Sequence, residues 1–360
     1  MPFNKQKHVL IAVLDWGLGH ATRCIPIIRC LLAHDCHVSI AGNGLSLVLL
    51  KQEFPQLHFH ELPAYHITYP SNGSFFWHLF AQTPQLLRAI RKERIEIETL
   101  VRQHHFDVIL SDNRYGCYSE KILSVVITHQ LNIQLPASLS WGKLLVDYVN
   151  NRFIKKFNAC WVPDFPSGFT GKLSESKKNQ VRFIGLLSRF QFAQQVQESD
   201  LVLGLVSGPE PQREIFEKLL RIEFRKMNQP CLIIRGLPSG VLSETKDGNI
   251  TILDHAPTQQ LQLIMEKAHL IISRSGYTTI MDLQAIGKKR VIFIPTPGQT
   301  EQEYLAAELE HRKIAYTQTQ DRFNLVEAIK KSKQYHGFDA SSHQTNLLNE
   351  AVEELLQQTY

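Results

Sequence analysis

Short, continuous apolar runs rich in β-branched residues alternate with helical patterns along nearly the whole chain, and this alternation constrains the fold more than any other feature. Val9–Leu14 is the first such run; it passes through Trp16-Gly17-Leu18-Gly19-His20 into the helical pattern Thr22–Ala33. That is a strand, a tight glycine loop and a helix in succession. His37–Ala41, a helix over Leu45–Glu53, His58–Leu62, a long helical stretch, and the runs Phe106–Ser111 and Ser124–Thr128 continue the series. Strands that are apolar on both faces and separated by helices predict a parallel sheet covered on both sides.

The series breaks once. After Trp161-Val162-Pro163-Asp164 the chain turns to Phe165-Pro166-Ser167-Gly168-Phe169-Thr170-Gly171 and then to lysines and serines up to Gln180, which reads as a linker. It resumes with Leu201–Val206, Cys231–Arg235, Ile250–Leu253, Leu270–Ser273 and Arg290–Ile294, each followed by a helical pattern. With 360 residues the chain is about twice a typical domain. The expected architecture is α/β, with two facing Rossmann-like doubly wound domains and a cleft between them. Residues 1–165 form the first, 166–195 the linker, 196–340 the second, and 341–360 a C-terminal helix that packs back on the first domain. Ligands of such sheets bind beyond the carboxyl ends of the strands, which places a substrate in the cleft.

Composition excludes several classes. A hydrophobic content of 43% against 20% charged residues supports a buried core rather than disorder. Thirty-nine basic and 34 acidic residues leave a formal charge of +5, too near balance to make nucleic acid the default partner. The six cysteines contain no CxxC pair, which points to reduced thiols in a cytoplasmic protein rather than to a metal site or disulfide framework. The apolar stretch ending at Asp15 is too short for a signal peptide or a membrane span.

Three groups of residues stand at strand ends. Gly17-Leu18-Gly19-His20-Ala21-Thr22 begins like a dinucleotide fingerprint, but Thr22 occupies the place of the third glycine. What remains is a turn with an imidazole just before the helix, either a general base or a plain cap. Ser111-Asp112-Asn113-Arg114 ends another strand, where Asp112 can orient His20 or itself activate a hydroxyl, and Thr128-His129-Gln130 forms a third polar edge. In the second half, Ser207-Gly208 leads through a Gly/Pro loop into a helix. Ser275-Gly276 opens the next helix, where free amides suit a diphosphate. Asp282 lies two turns on, in a place to accept from ribose hydroxyls, and Glu301 and Gln302 start a further helix.

These residues resemble a known family. Ser275-Gly276, the acid at 282, Gly287, the strand ending in Pro295 and the Glu301-Gln302 pair are similar to the C-terminal donor-binding region of family-28 glycosyltransferases. That family includes the peptidoglycan lipid-intermediate N-acetylglucosaminyltransferase and the diacylglycerol glycosyltransferases, which adopt the GT-B fold. The resemblance covers roughly residues 200–316 and, loosely, Gly17–His20. It implies that Ser275 and Gly276 hold the diphosphate, Asp282 the ribose, and Glu301 with Gln302 the sugar hydroxyls. Arg189, in Gly185-Leu186-Leu187-Ser188-Arg189, would face the donor phosphates, Ser207 and Gly208 would complete the phosphate loop in part, and the base would lie near His255.

The expected activity is transfer of a hexose or N-acetylhexosamine from a UDP-sugar to an acceptor hydroxyl, inverting and without metal, since no Asp-x-Asp motif is present. His20 or Asp112 would take the proton. The acceptor would be a lipid or cell-envelope glycan precursor. Phe75, Phe76, Trp77, Leu79 and Phe80, followed by Arg88, Arg91, Lys92 and Arg94, suit peripheral contact through residues 74–94 with the inner face of an anionic membrane. They equally suit core aromatics beside a solvated basic helix. A UDP-sugar 2-epimerase of the same fold and a non-catalytic nucleotide-sugar-binding protein are the alternatives.

Overall fold

Seven strands of the first half line up side by side in a computed structural model that describes residues 6–65, 82–135, 137–166, 168–175, 180–190, 197–238, 243–340 and 346–358. They are β1 (His8–Val13), β2 (His37–Gly42), β3 (His58–Glu61), β4 (Val108–Asp112), β5 (Leu123–Ile127), β6 (Ala159–Val162) and β7 (Val181–Phe183). Their order is β3-β2-β1-β4-β5-β6-β7 and every pairing is parallel. The helices α1 (Leu18–Ala33), α2 (Gly44–Glu53), α3 (Thr83–His104) and α4 (Lys143–Ile154) connect and cover them. Val9, Ile11 and Val13 of β1 face α1, whose Cys24, Ile25 and Ile28 are fully buried against them. Leu10 and Ala12 on the opposite face meet Ile97, Leu100 and Val101 of α3. Burial on both faces explains why β1 reads as continuously apolar rather than alternating.

The second sheet contains β8 (Val202–Leu205), β9 (Cys231–Ile234), β10 (Glu244–Asp247), β11 (Ile250–Leu253), β12 (Leu270–Ser273), β13 (Val291–Phe293) and β14 (Tyr316–Thr317). They run in the order β10-β11-β9-β8-β12-β13-β14, parallel except for β10, which pairs antiparallel with β11 at the edge. The helices here are α5 (Gln212–Phe224), α6 (Thr258–Lys267), α7 (Tyr277–Ala285), α8 (Thr300–His311) and α9 (Leu325–Ser332). Both sheets are therefore the doubly wound α/β layers expected from the alternation.

Two elements cross between the halves. Strand β7 lies inside the 166–195 segment that reads as linker, yet it hydrogen-bonds to β6 and extends the first sheet past residue 165. The helix α10 (Asn346–Gln357) returns to α1, burying Ala351, Val352 and Leu355 in the first domain's core. Asn349 Oδ1 lies 2.8 Å from His34 Nε2, and Glu354 pairs with Arg182 of β7. Cys24, Cys30, Cys36, Cys117, Cys160 and Cys231 are all free thiols.

In each sheet the strand order reverses where a crevice opens between neighbouring loops, at β1/β4 in the first and at β8/β12 in the second. His20 and Asp112 follow or end β1 and β4; Ser207 and Ser275 follow β8 and β12. Topology alone thus gathers the chemically interesting residues at two facing switch points.

Candidate active site

The turn after β1 differs from the sequence expectation in one respect. The helix starts at Leu18, not at Thr22, because Gly17 takes φ 92°, a conformation open to glycine, and serves as its N-cap. His20 consequently sits inside the first helical turn rather than in the loop before it. The main chain of α1 holds it over the end of β4.

Its ring Nδ1 lies 2.7 Å from Asp112 Oδ2. An ionised carboxylate only accepts hydrogen bonds, so Nδ1 carries the proton and donates it to Asp112, the Arg23 Nη2 beside it then acts on the ring through its charge rather than as a donor to Nδ1, and Nε2 keeps its lone pair. Asp112 is fully buried, and its other oxygen accepts from Arg23 Nε at 2.6 Å. Burial alone would push the Asp112 carboxyl up, but Arg23 and His20 together outweigh it and hold the group below the usual carboxylate range. Burial and then Arg23, whose Nη2 is 2.9 Å from Nδ1, pull the His20 imidazole below its ordinary value against the opposing pull of Asp112. At neutral pH the ring is uncharged and 14% exposed, and its basic Nε2 meets no partner among the described residues.

Arg23 is the residue that sequence reading misses. It lies one helical turn after His20 on the same face and is buried, and a third contact takes its Nη1 to 3.2 Å from His129 Nδ1. Since arginine only donates, His129 Nδ1 accepts, and the other ring nitrogen donates to Glu301 Oε1 at 2.8 Å. Gln130 Nε2 donates to the second Glu301 oxygen. Burial would raise the Glu301 carboxyl, yet His129, Arg23 and His20 hold it low. His129 also stacks flat on Tyr277, ring centroids 4.1 Å apart. The start of α8 and the start of α7 are thereby tied to the polar edge of the first domain. Gly19 completes the junction: a Cβ there would stand 2.6 Å from Thr278 Oγ1, so the first turns of α1 and α7 meet where only a hydrogen fits comfortably.

Behind Asp112, Arg114 explains why the strand end carries more polar groups than a turn needs. It is wholly buried, pairs with Glu93, and donates to Val13 O at 3.0 Å, Asn43 Oδ1 at 2.9 Å and Pro63 O at 2.7 Å. Glu93 in turn accepts from the Tyr65 hydroxyl and the Gly116 amide. Such a fully satisfied network fixes the loop that presents Asp112.

On the facing side, Ser275 is buried and its hydroxyl donates to Gln302 O at 2.8 Å, while Gly276 caps α7 in extended geometry. Gln302 Oε1 accepts from the Thr296 amide at 2.9 Å. Asp282 accepts from Ser188 Oγ at 2.7 Å and from Arg189 Nε at 3.3 Å. Burial raises its carboxyl above the ordinary range in spite of Arg189 and Ser188. Arg189 therefore rests on the Asp282 carboxylate, and its backbone oxygen accepts from Arg29 of α1 at 2.8 Å. His255, after β11, is buried, and burial followed by Arg189 lowers its imidazole while Glu53 opposes them. Ser207 and Gly208 are exposed in the loop after β8, with Gly208 at φ 96°. Ser275, Gly276, Asp282, Arg189, Gln302 and Glu301 thus cluster around α7 and α8, with Ser207, Gly208 and His255 on the adjoining loops.

Arg274, just before Ser275, is a second residue that sequence reading passes over. It is buried with no carboxylate partner among the described residues, donating to Ile294 O, Pro295 O and Gln320 Oε1 and standing over the Phe216 ring. Burial pulls it down to about 9, which still leaves it charged at neutral pH. An uncompensated cation beside a helix N-terminus makes this corner of the cleft attractive to an anion. Among the described residues no group of three or more His, Cys, Asp and Glu side chains is arranged to hold a metal, and no helix is long and apolar enough to cross a membrane.

Two facing switch points, a histidine–aspartate pair on one and the N-termini of α7 and α8 on the other, make up the cleft, and comparison with known proteins identifies the fold around it. Residues 241–358 match the glycosyltransferase family 28 C-terminal domain. An uncharacterized glycosyltransferase of Methanosarcina mazei is 23% identical over 343 residues, 86% of each chain. Among solved structures, the spinosyn rhamnosyltransferase SpnG superposes with a TM-score of 0.63 at 14% identity, over 98% of this chain and 96% of its own. LpCGTa, solved in complex with UDP, gives 0.60 at 12% identity, over 99% and 95%. The second domain thus carries the family 28 C-terminal domain, and the chain is a transferase of the GT-B type.

Proposed function

We propose that the protein transfers a hexose or N-acetylhexosamine from a UDP-sugar to an acceptor hydroxyl with inversion at the anomeric carbon. The observation that carries this reading is His20, neutral, with Nδ1–H fixed on Asp112 and Nε2 without a partner among the described residues at the cleft edge. In the reaction Nε2 takes the acceptor's proton as its oxygen attacks the anomeric carbon, and the uridine diphosphate departs on the opposite side. Asp112 holds the tautomer and stabilises the imidazolium that forms, while Arg23 keeps Asp112 ionised. The α7 amides at Ser275-Gly276 and the charge of Arg274 stabilise the departing diphosphate, a role that asks no metal of the site. Asp282 accepts from the ribose hydroxyls once Arg189 turns from it to the phosphates, and Glu301 and Gln302 read the sugar. The base lies by His255, and the loop at Ser207-Gly208 closes over the phosphates.

Structural likeness to an enzyme solved with UDP supports a uridine donor. The acceptor in this reading is a lipid or cell-envelope glycan precursor, met by the protein from the cytoplasmic side. The aromatic part of the proposed 74–94 contact lies outside the described residues; Arg88, Arg91 and Lys92 are exposed on α3. The test is a pair of variants assayed with a panel of UDP-sugars. His20→Ala is expected to keep the thermal shift given by the donor and to lose turnover, and Asp282→Ala to lose the shift itself. Full transfer by both variants contradicts the assignment. Donor conversion without an acceptor favours the epimerase, and binding without any turnover favours the non-catalytic nucleotide-sugar-binding protein.

A further inference from the structure

We propose that His129, on the first domain, is the positioning residue that fixes which donor sugar the second domain accepts. Contacts of different kinds meet on its ring. One face lies flat on Tyr277, 11° from parallel; Nε2 is 2.8 Å from Glu301 Oε1, and Nδ1 is 3.2 Å from Arg23 Nη1. The neighbouring Gln130 donates to Glu301 Oε2. Among the described residues, the side chains that donate to this carboxylate thus belong to the first domain, although Glu301 itself starts α8 of the second. Gln302 is the contrast: its side chain accepts from the Thr296 amide and its carbonyl from Ser275, both within its own domain. One of the two sugar-reading residues is set locally and the other from across the cleft.

Each contact removes a different freedom. The Tyr277 hydroxyl has no hydrogen-bond partner among the described residues, so what Tyr277 brings to the junction is its ring, and the stack sets the plane of the imidazole. Arg23 only donates; by bonding Nδ1 it selects the tautomer whose Nε2 carries the hydrogen. The last torsion of a glutamate is broad when nothing holds it. Here Nε2–H and the Gln130 amide take one acceptor site on each oxygen of Glu301, which fixes the carboxylate plane. An ionised carboxylate has about four such sites, so about two are left for a ligand, and the Glu301 side chain is 21% exposed. Epimeric sugars differ in the direction of one hydroxyl. A carboxylate held in one plane separates those directions, and one that turns freely does not. The inference rests on the reading of Glu301 as the sugar-reading acid and deepens it: selectivity for the donor sugar is set by the first domain, through His129.

Calorimetric titration of the full chain with UDP, UDP-glucose, UDP-galactose and their N-acetylamino counterparts tests it. UDP carries no sugar, so its affinity reports the nucleotide site alone, and the ratio of UDP-sugar to UDP affinity reports the sugar subsite. Wild-type protein is expected to prefer one sugar nucleotide over its epimer. His129→Phe keeps a flat ring for Tyr277 and loses both hydrogen bonds; it is expected to bind UDP within about twofold of wild type and to lose about tenfold of the preference between epimers. His129→Gln, whose amide again offers a donor and an acceptor, is expected to recover part of that preference. Gln130→Met, at a half-buried position outside the stack, removes the other donor to Glu301 and is expected to move the preference the same way by about threefold, which keeps the test open if the phenylalanine variant loses its circular dichroism. Equal losses for UDP and UDP-sugars in these variants make His129 a mere fastener of the two domains and overturn the proposal. So does an epimer preference that stays at the wild-type value, or a wild-type protein with no preference. Wild-type protein that binds neither UDP nor any UDP-sugar is a different result: it removes the donor reading, and this proposal with it.

Discussion

Two opposite charges act on His20 from nearly equal distances, and replacing either one separates their effects. Arg23 Nη2 is 2.9 Å and Asp112 Oδ2 is 2.7 Å from the ring Nδ1. At an effective dielectric constant of about 20, a unit charge at roughly 3 Å is worth about 5 kcal/mol, an upper figure before relaxation. The two nearly cancel, which leaves burial to set the balance on the neutral side. Asp112→Asn removes the stabilising charge and is expected to move the imidazole further down. Arg23→Met removes the opposing charge and is expected to move it up. The assay is the proton-detected titration of the His20 ring, assigned by comparison with His20→Gln, with circular dichroism as a folding check. That check is needed because breaking a buried pair costs about 3 to 5 kcal/mol. The base must be neutral to act, so kcat/KM rises with pH through this value. The wild-type acid limb then lies below about 6.5. Arg23→Met shifts the limb to higher pH, and Asp112→Asn loses about a hundredfold or more of the rate as the tautomer is released. An unchanged His20 titration in both variants refutes this electrostatic reasoning.

Two further perturbations probe the junction between the domains. Glu301→Gln replaces a carboxylate held by His129 and Gln130, and the radius of gyration from small-angle scattering is expected to rise as the cleft loosens; an unchanged value contradicts a latch at this point. Gly19→Ala places a Cβ against Thr278 Oγ1 and is expected to lower the melting temperature, with Thr278→Ala restoring it through a coupling of about 1 kcal/mol. Additive losses in the double variant mean the two helix starts do not press on each other.

The parallel sheets were legible because β1, β4, β5, β8 and β12 are buried on both faces, and their runs are long enough to show it. Strands β7 and β14 have only three and two residues, too few for a period to register, β10 is an exposed polar edge, and β7 sits in a stretch whose lysines and glycines read as linker. The helix start was displaced because Gly19 is a poor helix former and no side chain marks a cap; the positive φ of Gly17 supplies the turn that the side chains do not. His20 and Asp112 were visible as polar residues at strand ends. Arg23 was not: an arginine inside an amphipathic helix reads as a solvated position, and only the Asp112 carboxylate, 89 residues away, draws it inward. The contact between His129 and Glu301 spans 172 residues and both domains, a pairing that no local pattern encodes.

The most direct measurement is a crystal structure with a non-hydrolysable UDP-sugar bound. The account predicts the diphosphate on the α7 amides at Ser275-Gly276, ribose hydroxyls on Asp282 with Arg189 swung off it, and the anomeric carbon facing His20 Nε2. A sugar nucleotide seated away from α7, or one whose anomeric carbon points away from His20, contradicts it.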